Sequence, residues 1–262
     1  MDRERLRQTF DAVAELYDRA RPGYPEDAVS DLLRYADLRP GCRVLEIGCG
    51  TGILTQALAE RGLAVTAVEI GPRMAEVARA RLGRFADVSI WVGAFEDFPL
   101  PTAPFDLVVS ATAFHWVDPA IRVEKSADAL RPGGALAILH THHVAGDPAF
   151  FDASQRCYRK YDPEAREDFR MPAPEDIPLA MPEIDASPRL ARVSLRRYLW
   201  ELEYTADAYR DLLLTYSSTQ KLGADGVLLA ECIRSAIAER HGGTIRKPYL
   251  TELRIAKTRD SS

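Results

Sequence analysis

Glu46-Ile47-Gly48-Cys49-Gly50-Thr51-Gly52 is the stretch on which the reading of this chain turns. Three glycines stand at every second position, after the apolar run Val44-Leu45-Glu46-Ile47 and before a predicted helix over 53–61. A glycine loop between a strand and a helix lets the backbone approach a ligand where a Cβ would collide. Glu69 lies 21 residues after Gly48, at the end of a second predicted strand over 64–68. An acid there is placed to accept hydrogen bonds from both ribose hydroxyls of a nucleoside. The dinucleotide fingerprint G-x-G-x-x-G would need glycine at position 53, where this chain has Ile53. The pattern here is E-x-G-x-G-x-G, with Glu46 two residues ahead of the first glycine.

Outward from the loop the pattern alternates. Helices are expected over 73–82 and 119–130, and strands over 88–92, 105–110 and 135–139. Short apolar strands alternating with helices imply a parallel sheet covered on both faces. Upstream, Leu6, Phe10, Val13 and Tyr17 recur at helical spacing, predicting an amphipathic helix over 3–19. Arg21-Pro22-Gly23-Tyr24-Pro25 ends it, and a second helix over 26–37 runs into Leu38-Arg39-Pro40-Gly41. Downstream, 145–190 holds seven prolines among many charges and reads as a cap inserted over the sheet. Beyond it, strands over 191–204 and 244–256 flank helices over 206–216 and 226–240. Strands so connected are expected to lie antiparallel at the sheet's edge.

Composition narrows the function classes. The chain has 262 residues, 47% hydrophobic and 28% charged, enough to bury a sizeable core. Lys plus Arg number 34 against 39 for Asp plus Glu, a net charge of −5. That balance lacks the basic field used for sequence-independent nucleic-acid binding. No Asn-Pro-Pro-Tyr, Asp-Pro-Pro-Tyr or Pro-Cys run follows the fourth strand, so the signatures of nucleic-acid base methylation are absent. Cys42, Cys49, Cys157 and Cys232 contain no C-x-x-C pair and read as separate thiols. The charged start Met1-Asp2-Arg3-Glu4-Arg5 and the lack of a long apolar run predict a cytoplasmic protein with a small-molecule partner and no membrane partner.

Further motifs carry a family resemblance. Phe10-x-x-x-Ala14-x-x-Tyr17-Asp18 precedes Arg21-Pro22-x-Tyr24-Pro25, and Gly93-Ala94-Phe95-Glu96-Asp97 follows the third strand. Phe105-Asp106-Leu107-Val108-Val109 and Leu130-Arg131-Pro132-Gly133-Gly134 come next, in order. With the glycine loop, this series resembles class I S-adenosylmethionine-dependent methyltransferases over residues 7–140, and more faintly to 257. The small-molecule, trans-aconitate methyltransferase-like members are the nearest in feel. The resemblance implies a Rossmann-like, doubly wound, seven-stranded mixed α/β sheet in a single domain over 1–262. Its parts would be an N-terminal helical lid (1–40), a cofactor core (41–144), the cap (145–190) and C-terminal elements completing the sheet (191–262).

The resemblance also implies a site for S-adenosylmethionine and its product S-adenosylhomocysteine. Gly48, Gly50 and Gly52 would line the methionine and ribose. Glu46 would steady the loop near the cofactor's ammonium, and Glu69 would take the ribose. Ile70 and Met74 would sandwich the adenine, with the Phe95 amide and Glu96 at its edge. Many relatives have Asp at the position of Ala94, so the contact to the adenine amino group is an open point. The Ala111 carbonyl would meet the ammonium, while Tyr17 and Arg21 would take the carboxylate.

Methyl transfer from a sulfonium needs alignment and exclusion of water, and a base only where the acceptor must lose a proton. His115, in Ala113-Phe114-His115-Trp116 after the fourth strand, is the leading candidate for that base; pocket shaping is the competing role. His140 and His142 share one face of the fifth strand's end and His143 the other. No acid shares their spacing, so a substrate-facing histidine is expected and no metal. The Tyr and Arg residues of 156–170 and Arg196-Arg197-Tyr198 read either as acceptor recognition or as cap packing. Two rivals stand beside methyl transfer: a nicotinamide-dependent oxidoreductase, which Ile53 and Glu46 disfavour, and a non-catalytic S-adenosylmethionine-binding protein.

Overall fold

A computed structural model of the chain describes residues 11–259. Its strands are β1 (Arg43–Ile47), β2 (Ala64–Glu69), β3 (Val88–Val92), β4 (Phe105–Ala111), β5 (Leu130–His143), β6 (Leu190–Thr205) and β7 (Thr244–Thr258). They form one mixed α/β sheet in the order β3-β2-β1-β4-β5-β7-β6, mostly parallel with an antiparallel edge. Parallel registers pair Val44 with both Val65 and Leu107, and Val108 with Leu136. Chain order reverses between β1 and β4, and open α/β sheets bind ligands at such a switch point, beyond the strands' carboxyl ends.

Alternation along the strands divides the core in two. Val44, Val65, Leu107, Val109, Ala135 and Ala137 pack with Val29 and Leu32 of the helix Glu26–Tyr35 and with Leu54 and Leu58 of the helix Ile53–Ala59. Leu45, Val68, Val108, Leu136 and Ile138 pack instead with Phe95, Phe114 and Val123. Successive strand residues face opposite sides. Both faces of β1, β4 and β5 are therefore dry, which explains why these strands read as continuous apolar runs.

The chain divides into two compact units. One comprises 11–22, 142–178 and 199–250; the other comprises 23–141, 179–198 and 251–259. The expected cap over 145–190 is thus not one body, because 179–190 belongs with the sheet residues of the second unit. In the first unit, Leu229, Ile233 and Ile237 form an i, i+4 stripe on the helix Ala224–Arg240. They pack with Tyr209, Leu212 and Leu213 of the helix Ala206–Leu214 and with Tyr249.

Other expectations shift. Residues 3–10 of the first expected helix lie outside the described residues, and a helix is present over Ala14–Ala20. The helix expected over 119–130 spans Arg122–Ala129. Arg131-Pro132-Gly133-Gly134, which lies ahead of the strand expected over 135–139, is taken into β5 as an irregularity between the pairs Phe105–Leu130 and Leu107–Ala135. The cysteines are not all separate: Cys157 and Cys232 form a disulfide, while Cys42 and Cys49 are free thiols. Sequence spacing hides that pair because its halves are 75 residues apart on two helices. Among the described residues, no helix is long and apolar enough to cross a membrane.

Candidate functional site

The glycine loop takes the shape its glycines permit. Gly48 has φ +70°, and a Cβ there would stand 2.5 Å from the Ala113 Cβ, so only glycine fits. Gly52 has φ +83° and begins the helix Ile53–Ala59; a Cβ there would meet Leu82 at 2.8 Å. Gly50 also has positive φ, +57°.

Glu69 ends β2 and ties the loop down. Its Oε2 accepts from the Gly50 N–H at 2.8 Å and its Oε1 from the Gly71 N–H at 2.8 Å. Both carboxylate oxygens thus lie beside the backbone of the loop and of the turn after β2. Glu46, 1% exposed in β1, accepts at Oε2 from the Thr55 hydroxyl at 2.7 Å. That bond joins the strand before the loop to the helix after it. Burial pushes the Glu46 carboxyl up to about 8; the Thr55 bond opposes this and the nearby Glu69 charge adds to it.

The remaining expected positions are these. Met74 is buried in the helix Pro72–Leu82, and Ile70, just ahead of it, is half-buried. Phe95 is buried, with the Lys125 ammonium over its ring at 5.4 Å. Glu96 accepts at Oε1 from the Asp118 N–H at 2.9 Å, so its carboxylate already holds the segment after His115. Ala111 ends β4 opposite Leu139 of β5.

A small cleft opens past the carboxyl end of β4 and alongside Ile138–His140 of β5, about 40 Å³ in volume and lined by Thr112, His115, Arg122 and His140 among others. The His115 and His140 ring centres are 5.9 Å apart. Arg122 donates from Nε to Glu183 at 2.9 Å and from Nη1 to the Phe114 carbonyl at 3.0 Å, fixing the short 3-10 turn that carries His115. Neighbouring protein atoms, and then the Arg122 charge, hold the His115 imidazole below its usual value, although the residue remains exposed. A lowered value keeps the ring neutral near pH 7 and able to take a proton.

Two residues of this region escape the sequence reading. Thr112 sits at φ +55°, a conformation that a β-branched residue reaches only under local constraint. Its N–H donates to the Leu139 carbonyl at 2.8 Å, which closes the β4–β5 edge of the cleft. Thr51, 1% exposed within the loop, has a hydroxyl with no hydrogen-bond partner among the described residues. No pattern flags Thr112, whereas Thr51 stands inside the quoted loop between Gly50 and Gly52, whose spacing is the signal there.

In the other unit, Arg21 is held rather than solvated. It donates from Nε to Thr215 Oγ1 at 2.8 Å and from Nη2 to the Thr215 carbonyl at 3.0 Å. Its guanidinium lies over the rings of Tyr17 and Tyr216, at 4.8 and 4.5 Å. Nη1 carries no hydrogen bond among the described residues. His143 packs on Tyr216 and Tyr249 in this unit, and His140 lies beside His115 in the other. In the second unit, Arg196 and Tyr198 donate to Tyr35 and Asp31.

A sheet ordered 3-2-1-4-5-7-6, with a glycine loop after β1 and an acid closing β2, defines the architecture of the class I methyltransferases. The chain belongs to the methyltransferase family. Residues 45–138 match the family model described as "Methyltransferase domain". An uncharacterized methyltransferase of Mycobacterium tuberculosis is 42% identical over 131 residues, 50% of this chain and 51% of that protein. The match therefore spans about half the length of that relative. An uncharacterized methyltransferase of Anoxybacillus flavithermus is 33% identical over 181 residues, 62% of this chain and 84% of that protein. Among solved structures, a SAM-dependent methyltransferase from Geobacter sulfurreducens in complex with S-adenosyl-L-homocysteine superposes with a TM-score of 0.53. The identity is 15%, covering 97% of this chain and 98% of that one, so this likeness concerns the fold.

Proposed function

We propose that this chain transfers the methyl group of S-adenosylmethionine to a small organic acceptor. The observation that carries the reading is the loop itself: Gly48, Gly50 and Gly52 at positive φ, with Glu69 bonded to the Gly50 amide. The fit to the cofactor rests on local chemistry. Glu69 sets a carboxylate beside the loop, where ribose hydroxyls would be accepted, and the buried Thr51 hydroxyl has no hydrogen-bond partner among the described residues. When bound, the cofactor supplies an electrophilic methyl on a sulfonium.

The protein's own residues do the rest. Glu46 lies where an ammonium would favour its carboxylate form. The Ala111 carbonyl accepts from that ammonium. Ile70 and Met74 flank the adenine, and the Phe95 amide with Glu96 meets its edge. Tyr17 and Arg21 remain proposed carboxylate ligands on their chemistry, Arg21 through its guanidinium. His115, neutral near pH 7, takes the acceptor's proton where one must leave. We also propose a cytoplasmic location and a single functional domain.

Calorimetric titration with S-adenosylmethionine and with NAD tests the cofactor. Binding of the first is expected; binding of NAD alone would overturn the reading. A screen of small acceptors with tritiated methyl donor tests the activity, and the expected result is label in an organic product.

A further inference from the structure

A cavity lies within the first unit, and none of the glycine-loop residues and none of His115, His140, His142 and His143 lines it. Its volume is about 320 Å³, at the small end of ligand pockets. Phe150, Phe151, Tyr158, Phe169 and Tyr209 supply aromatic walls, with the Phe150 and Tyr209 rings edge to face at 5.4 Å. Phe169 is 41% exposed, a large apolar side chain held beside the cavity in contact with water.

Lys247 supplies the single buried charge of the lining, with 7% of its surface exposed. Among the described residues it has no carboxylate partner; its ammonium lies 5.1 Å from the Tyr249 ring centre. The other cations are committed: Arg166 to Asp168, and Arg246 to Glu201 and Glu203. Asp147 and Glu164 also line the cavity, but both are exposed, and water screens them. Asp162 bonds through Oδ1 to the Glu164 N–H. Burial lowers the Lys247 ammonium to about 8: the cation lies out of water against the Tyr249 ring, with no carboxylate among the described residues to neutralise it. A methionine would fill the same space at no such cost, so the charge has a use beyond packing.

We infer that this cavity binds a small aromatic carboxylate, its ring against the phenylalanine and tyrosine walls and its carboxylate on Lys247. The volume admits a one-ring acid rather than a nucleotide. Binding needs no methyl donor and no turnover, so the proposal goes beyond methyl transfer and fails or stands separately from it.

The test titrates the full chain, free of reductant and cofactor, with 3-phenylpropionate and with its neutral amide. At pH 7 the acid should bind at least about tenfold more tightly, the scale of one charge-assisted contact in a dry site. In ¹³C-lysine-labelled protein, which has only five lysines, the Lys247 signal should move with the acid and not with the amide. Lys247→Met should fold, because it removes an unpaired buried charge, and should bind acid and amide alike; Lys247→Gln serves as the second variant. No binding of the acid at 10-millimolar scale, equal binding of acid and amide by the wild type, an unmoved Lys247 signal, or discrimination that survives in the variants would each overturn the inference.

Discussion

At the scale of single residues, Glu69 does two jobs with one carboxylate. Its oxygens hold the Gly50 and Gly71 amides, and the same oxygens are proposed to take the ribose. Glu69→Gln keeps the volume but turns an –NH2 toward one of those amides. Affinity for S-adenosylmethionine should fall about tenfold to a few hundredfold, with a modest loss of stability from the amide left unpaired. Calorimetry beside a thermal melt reads both, and unchanged affinity would remove the ribose assignment. Glu46 makes a pH prediction for the cofactor-free protein. Its folded value, about 8, lies above its ordinary 4.5. The stability it contributes is therefore fully present below pH 4.5 and is lost as pH rises through about 8. Glu46→Gln, which can still accept from Thr55, should flatten that decline in urea titrations between pH 5 and 9. For His115, held below the usual imidazole value, the wild-type rate should rise with pH through a group titrating below 6.5 and then level. His115→Ala should lose about 10²–10⁴-fold in turnover and that acid limb together. If the limb survives, His115 shapes the pocket and is not the base.

At the scale of elements, the junction of β1 with the helix Ile53–Ala59 is packed against the residues that follow β4. Gly48→Ala would set a methyl 2.5 Å from the Ala113 Cβ and force φ +70° on an L side chain. A loss of about 1–3 kcal/mol is expected, with weakened cofactor binding. Adding Ala113→Gly removes the colliding carbon but leaves the backbone cost of about 1 kcal/mol, so the double variant should recover part of the stability. Chemical denaturation of the two variants measures the split. This loop was legible in the sequence because its signal is local: seven consecutive residues whose backbone shape demands glycine. The β-strands were legible for the same reason, since Val44, Leu45 and Val65 feed two cores by simple alternation.

At the scale of the whole molecule, the Cys157–Cys232 disulfide joins the helices Pro148–Tyr161 and Ala224–Arg240. Closing 75 residues of chain would stabilise by about 4 kcal/mol on the chain-entropy account. Thiol titration of denatured, unreduced protein should find two free thiols and four after reduction, with a lower melting temperature in reductant. Four thiols before reduction would remove the bridge. Disulfides persist in oxidising surroundings, so this titration also bears on the proposed cytoplasmic location.

The sequence by itself determined the strand–loop–helix order, the methyltransferase resemblance and the positions of Glu46, Glu69 and His115, because each rests on residues near one another in the chain. Tertiary structure alone decided the rest. Arg21 finds Thr215 across 194 residues, Cys157 finds Cys232, and 179–190 leaves the expected cap for the other unit. Lys247 looks in sequence like any surface lysine between an arginine and a proline; only the packing of helices and strand around it makes it a buried cation. The physical reason is common to all of these. Periodicity and backbone shape are short-range properties written in adjacent residues, whereas burial and partnership depend on which distant surfaces the folded chain brings into contact.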